Sequence, residues 1–247
     1  MRFKLQLLLT IQFSIIVFGQ VNIEQYRNYE NNGNLKNNFE EHVNIATTIK
    51  RSTSSYYSLG LKYFKPVITD GYEGFLISKI NYGETSNEVF INNAFYHFRL
   101  IAANQNNTTI PEAYAQFESN EYTLTNERYL AGIGIRYKIG NSISGTSIMN
   151  EWYKETNNTS RINNWRLSQY FTLLFNINPF NKLSTTIYFQ PAISDLSNIR
   201  YYTEISFDSK LTETISYKST LTSKFFSDSV DFNDVELFFE SGLDFIL

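Results

Sequence analysis

Beyond residue 19 no stretch of this 247-residue chain keeps a helical period for more than a turn or two. It is built instead from runs of about ten residues in which apolar and polar side chains alternate, each closed by Asn, Gly, Asp or Ser. Successive side chains of a strand point to opposite faces, so every run defines one apolar and one polar face. Over Arg128–Ile139 the apolar face is Tyr129, Ala131, Ile133, Ile135, Tyr137 and Ile139, and the polar face carries Arg128, Gly132, Gly134, Arg136 and Lys138. Over Ile199–Asp208 the odd positions Ile199, Tyr201, Ile205 and Phe207 oppose Arg200, Glu204, Ser206 and Asp208. The last run sets Val235, Leu237, Phe239, Leu243, Phe245 and Leu247 against Glu236, Glu240, Gly242 and Asp244. Tyr57–Tyr63 and Phe90–Leu100 repeat the pattern, the second placing His97 and Arg99 on its polar face. The runs Phe75–Tyr82 and Ser144–Tyr153 are less regular, and the alternation there does not assign the faces.

Nearly every charge within these runs has the parity of the polar face. A charge on the lipid side of a membrane barrel costs about 2–4 kcal/mol at the midplane and little near the interfaces. Glu213 breaks the parity, and it sits near a turn. Aromatic pairs such as Tyr129 and Tyr137, Trp165 and Phe175, and Tyr57 and Tyr63 bracket the apolar faces, as two membrane interfaces require. The expectation is an all-β chain: a single antiparallel transmembrane outer-membrane β-barrel of about twelve strands, with ten to fourteen compatible. Tight hairpins are expected near Gly140–Asn141, Asn178–Asn181 and Asp208–Lys210, alternating with longer polar connections. The connection Ala102–Pro111 is long for the tight-turn rim.

Both ends agree. Arg2 and Lys4, an apolar run from Leu5 to Phe18, and Val17 and Gly19 at the −3 and −1 positions read as a cleaved export signal over residues 1–19. The final octad Glu240-Ser-Gly-Leu-Asp-Phe-Ile-Leu247 resembles the C-terminal signal by which outer-membrane barrels are recognised for insertion, carried by Glu240, Gly242, Phe245 and Leu247. The division expected is signal 1–19, a polar periplasmic segment or plug over 20–42 without an apolar face, and a barrel over 43–247. Expected partners are outer-membrane lipid and, during biogenesis, the barrel-assembly machinery.

Charge and composition remove several function classes. The net charge is −3 before two N-terminal cations leave with the signal, and no basic stripe exists, which excludes nucleic acid as a partner. The chain has no Cys, so neither disulfides nor thiolate metal sites are available. Two isolated histidines, His42 and His97, do not make a zinc site, and no cofactor is expected.

Three stretches carry a resemblance: Tyr114-Ala-Gln-Phe-Glu118, Asn126-Glu-Arg128 and Ala131-Gly-Ile-Gly-Ile-Arg-Tyr137. In that order they resemble the YdiY-like salt-induced outer-membrane protein family. The resemblance implies an outer-membrane barrel with a link to salt or osmotic stress, and no catalytic residues.

The candidate lumen residues are His97, Arg99, Glu118, Arg128, Gly132, Gly134, Arg136, Lys138, Arg166, Arg200 and Glu204, joined by Lys50, Lys62, Lys182, Lys218, Glu236, Glu240 and Asp244. Gly132 and Gly134 leave room for an inward Tyr or Arg from a neighbouring strand. Mixed charge of this kind either lines a narrow channel or fills a small lumen with ion pairs. Wide aqueous channels belong to barrels of about 16–18 strands, so a plugged or very narrow lumen is the expectation. A lumen hydrolase would need His97 beside a nucleophile, with Glu118 or Glu204 to orient it. The function expected is structural and envelope-related, with a narrow solute channel as the alternative and the hydrolase as the more remote one.

Overall fold

The computed structural model describes residues 27–29, 35–51, 56–69, 71–85, 90–102, 109–119, 125–155, 160–227 and 235–247. The expected signal segment, 1–19, lies outside them. Fourteen strands follow in chain order: β1 (Arg27–Tyr29), β2 (Leu35–Phe39), β3 (His42–Arg51), β4 (Tyr56–Thr69), β5 (Tyr72–Thr85), β6 (Phe90–Ala102), β7 (Thr109–Ser119), β8 (Thr125–Ile139), β9 (Ser142–Glu155), β10 (Arg161–Asn178), β11 (Asn181–Pro191), β12 (Ile199–Lys210), β13 (Ile215–Phe226) and β14 (Glu236–Ile246). β1 and β2 pair as a small separate sheet. The other twelve pair antiparallel in chain order, and β14 returns to β3, so the sheet is a closed barrel without edges.

The alternation becomes a physical inside and outside. On β8, Ile133 and Ile139 are each 66% exposed, with Tyr129, Ile135 and Tyr137 also outward, while Arg128 and Arg136 are buried on the opposite face. Outward apolar residues of the same kind occur all round the barrel, among them Leu59, Ile80, Phe98, Ile148, Leu167, Phe189, Ile205, Leu221 and Phe239. A continuous exposed apolar belt is untenable in water and is the surface a bilayer demands of a transmembrane barrel. Trp165, Phe175 and Tyr57 lie on that outer surface as expected.

The two rims differ. On one, Gly140–Asn141 and Pro179–Phe180 make tight turns, and Gly140 takes φ +59°, a conformation open to glycine at no steric cost. The other rim carries the longer connections 120–124, 156–160, 192–198 and 227–235. One expected hairpin moves: β12 continues through Lys210, and the turn is 211–214 rather than Asp208–Lys210. The Thr212 hydroxyl accepts from the amides of Thr214 and Ile215 at 3.3 and 3.0 Å, and the amides of Leu211 and Thr212 both reach Ile215 O at 2.9 Å. A threonine-built turn has no Gly or Asn to announce it. β3 begins at His42, one residue before the expected barrel boundary.

The terminal signal residues divide between the seam and its faces. Gly242 pairs with Ala46 across the β14–β3 seam, and a Cβ there would run into the β3 backbone at Ile45 and Ala46. Glu240 points inward, Phe245 is half-buried, Leu247 is exposed, and the Leu247 amide donates to Glu41 O at 2.9 Å.

Candidate functional site

The interior is the candidate site, and it is layered along the barrel axis. In the half nearer the long loops, Glu151 of β9 is fully buried and receives three guanidinium groups. Arg128 Nε of β8 donates to its Oε1, Arg166 Nε of β10 donates to Oε2 at 2.7 Å, and Arg200 Nη1 of β12 donates to Oε1 at 2.5 Å. Charges this deep persist only when paired and hydrogen-bonded on most sides. The surroundings supply that. Arg166 also donates to Gln190 O at 3.0 Å and to Asn198 Oδ1 at 2.6 Å, which ties the 192–198 loop to the wall. Arg200 lies over the Tyr153 ring, 4.1 Å from its centroid. Glu118, half-buried, accepts from Lys224 at 2.9 Å and lies 3.8 Å from Arg128.

The middle layer is tyrosine-rich. Arg99 faces Glu112 at 3.6 Å and sits 5.7 Å from the ring centroids of both Tyr114 and Tyr170. Tyr170 donates to Glu112 at 3.1 Å, and Tyr202 donates to Glu204 at 2.6 Å. Gly132 gives the expected space: a Cβ there would enter the Tyr114 ring, and one on Gly145 would enter the Tyr170 ring. Gly134 is different, because a Cβ there would meet Ser147 and the Thr146 carbonyl of the paired strand rather than a bulky inward side chain.

Near the seam Glu240 accepts from Lys79, lies 3.2 Å from Lys62, and takes the Thr48 hydroxyl at 3.4 Å. His42 and Asp244 pair at 2.7 Å. At the tight-turn rim the inner face of β4–β6 turns apolar: Phe64, Phe75, Ile77 and Ile101 are buried together with Phe39, the last residue of β2. The Phe39 ring meets Phe75 edge-on at 4.4 Å and Phe64 at 6.1 Å.

Of the sequence-derived candidates, His97, Arg99, Arg128, Arg136, Arg166, Arg200 and Glu204 are buried inward, and Gly132 and Gly134 lie on the inner face. Lys138 has inward parity but is exposed, because it stands two residues before the Gly140 turn, where the wall ends. The Lys50 side chain lies outside the described residues. His97 makes its hydrogen bond with Gln116 at 3.2 Å, while Glu118 and Glu204 are engaged by Lys224 and Tyr202. The triad arrangement therefore does not form around it in this structure. Among the described residues no cluster of three or more His, Asp or Glu is arranged to hold a metal ion.

Glu151, Glu112, Lys79 and Lys224 were missed as interior residues. The hairpin register held the signal for the first: β8 and β9 pair through Gly140–Asn141, which sets Glu151 opposite inward Leu130. Phe39, within the segment read as polar and without an apolar face, makes an apolar contact with the barrel wall, and one apolar residue among Asn, Lys and Glu has no period to reveal it.

Comparison with known proteins bears on the fold. No protein-family profile matches the sequence, and no curated protein matches it. Among solved structures, an outer membrane channel from Pseudomonas putida F1 is similar over 92% of this chain and 100% of its own, with TM-score 0.58 and 8% identity. The NanC porin is similar over 83% of this chain and 100% of its own, with TM-score 0.56 and 12% identity. The KdgM porin, solved in complex with disordered oligogalacturonate, is similar over 83% and 99%, with TM-score 0.50 and 8% identity. At such identities the likeness is one of architecture, and the architecture is that of outer-membrane β-barrels.

Proposed function

We propose that the chain is an integral protein of the bacterial outer membrane whose barrel interior is filled by its own side chains, and that its role is structural within the envelope rather than that of an open pore. The observation that carries this reading is the Glu151 layer, where three guanidiniums from β8, β10 and β12 converge on one fully buried carboxylate. An aqueous lumen leaves its charges in water, whereas Arg99, Arg166, Arg200, Glu151 and His97 have at most 1% of their surface exposed. The resemblance to YdiY-like proteins would place the role in salt or osmotic stress. Barrel-assembly machinery reading the Glu240–Leu247 segment, and removal of residues 1–19 on export, complete the proposal.

A second reading, a narrow solute channel, draws support from the three architectural relatives, whose names describe porins and a channel. Acidic saccharides of the kind named for KdgM would need interior cations that face an open lumen. Here Arg99, Arg128, Arg166, Arg200, Lys62, Lys79 and Lys224 are drawn onto Glu112, Glu118, Glu151 and Glu240. Planar-bilayer recording on the refolded mature chain separates the readings: a folded but silent barrel is the expected result. Discrete steps proportional to salt concentration would replace the structural reading with the channel.

A further inference from the structure

Phe39, the last residue of β2, and the linking Glu40 and Glu41 lie at the tight-turn mouth. Phe39 sits in the apolar patch formed by Phe64 and Phe75 with Ile77 and Ile101 on β4–β6. Glu40, half-buried, lies within long-range electrostatic reach of Lys182 on β11, whose nearer charged neighbours are its strand partner Asp208, then Lys210 and Asp244. In the ring of twelve strands β5 and β11 stand six places apart, on opposite walls. Glu41 then accepts from the Tyr63 hydroxyl and lies 3.5 Å from Lys65, and its carbonyl takes the Leu247 amide. The strap thus has an apolar foot on one wall, an acidic foot towards the other, and an anchor on the rim.

We propose that Phe39–Glu40, hinged on the Glu41 anchor, is a releasable plug that governs access from the tight-turn mouth to the barrel interior, with the aromatic patch of β4–β6 as its seat. The patch is an anomaly of the inner wall. The other buried apolar clusters, Ile143 with Tyr170 and Tyr188 and Leu130 with Tyr114 and Met149, carry tyrosine hydroxyls, whereas the side chains of Phe39, Phe64, Phe75, Ile77 and Ile101 bring no polar atom at all, and a wall meant to face water would gain nothing from them. With Phe39 seated the patch is dry. Burial of one Phe side chain and one long-range ion interaction are weak compared with the barrel's ladders, so the strap can leave without the barrel unfolding. The inference rests on the reading of the interior as filled, and it adds which part of the filling is removable.

The chain has no Cys, so a single introduced thiol is a clean reporter. Ile77→Cys is placed under Phe39 in the full mature chain, folded in detergent with heat-modifiable gel migration as the folding control. Its reaction with a sulfonate-bearing methanethiosulfonate is timed. Slow labelling with Phe39 present and at least a tenfold acceleration in Phe39→Ser is the expected result. Equal rates, whether both slow or both fast, overturn the plug. If Phe39→Ser fails to fold, Phe39→Ala decides the matter: it keeps the strap apolar and empties the seat, so a rise in rate upholds the plug and an unchanged rate overturns it. Conductance of the wild-type chain would sink the filled-interior reading separately, because the labelling comparison does not depend on it.

Discussion

Two regions of the interior, the Glu151 layer and the β4–β6 patch, are filled by opposite chemistry. Towards the long loops, Arg128, Arg166 and Arg200 share Glu151, so removing that one carboxylate takes the partner from all three. Towards the tight turns, Phe39 covers Phe64, Phe75, Ile77 and Ile101 through contacts that need only shape. A buried charge must keep its partner or carry several kcal/mol of desolvation unopposed. A buried ring that withdraws exposes apolar surface and no more, at about 1.5–3 kcal/mol for a fully buried Phe. The Glu151 layer is therefore suited to permanence and the aromatic patch to release.

The largest expected effect breaks the Glu151 layer. Glu151→Gln keeps the volume but leaves three guanidiniums with one neutral amide, and should cost about 3–5 kcal/mol. Heat-modifiable migration in detergent should then be lost at a distinctly lower temperature than in the parent. A variant as stable as the parent would mean that water or another carboxylate reaches this layer, and the contrast between the two regions would fail.

Next come the two sides of the aromatic contact, which should respond unequally. Phe75→Ala opens a hole in the wall itself and should cost about 3 kcal/mol in denaturant unfolding. Phe39→Ala can cost no more than the free energy of seating the strap, about 2 kcal/mol at most. Equal losses would show the strap to be an integral part of the barrel rather than a detachable cover.

Much of this architecture was legible because the bilayer imposes a two-residue rule on every strand. The inward placement of Arg128, Arg136, Arg166, Arg200, Glu204, Glu236 and Glu240 followed from parity alone. Glu151 escaped because its run, Ser144–Tyr153, mixes small and polar residues on both faces, with outward Ser144, Thr146 and Asn150 beside inward Ser147 and Glu151. Alternation fails where both faces are polar, and there only the register inherited from a neighbouring hairpin assigns the face. Which arginines share a carboxylate is beyond parity altogether, since Arg128, Arg166 and Arg200 belong to three different strands. Phe39 escaped for another reason: its partners are 25 and 36 residues further along the chain, and nothing local marks the contact.

The smallest effect sharpens the comparison by holding the chemistry fixed and changing the surroundings. Arg161 and Glu127 form the same kind of pair as Arg166 and Glu151, at 3.0 Å, but on the outer surface at the long-loop rim with 65% and 38% of their side chains exposed. In water the attraction is screened, and holding two long side chains in one geometry costs entropy. Arg161→Gln should shift stability by about 0–0.5 kcal/mol, whereas Glu151→Gln acts on a pair of similar length with no water to take over the lost partner. Measuring both in one detergent separates what ion pairing contributes from what burial demands. A loss of 2 kcal/mol or so at Arg161 would mean that the rim is as dry as the interior, and that the boundary between lipid, water and filled lumen lies further out than the exposed charges indicate.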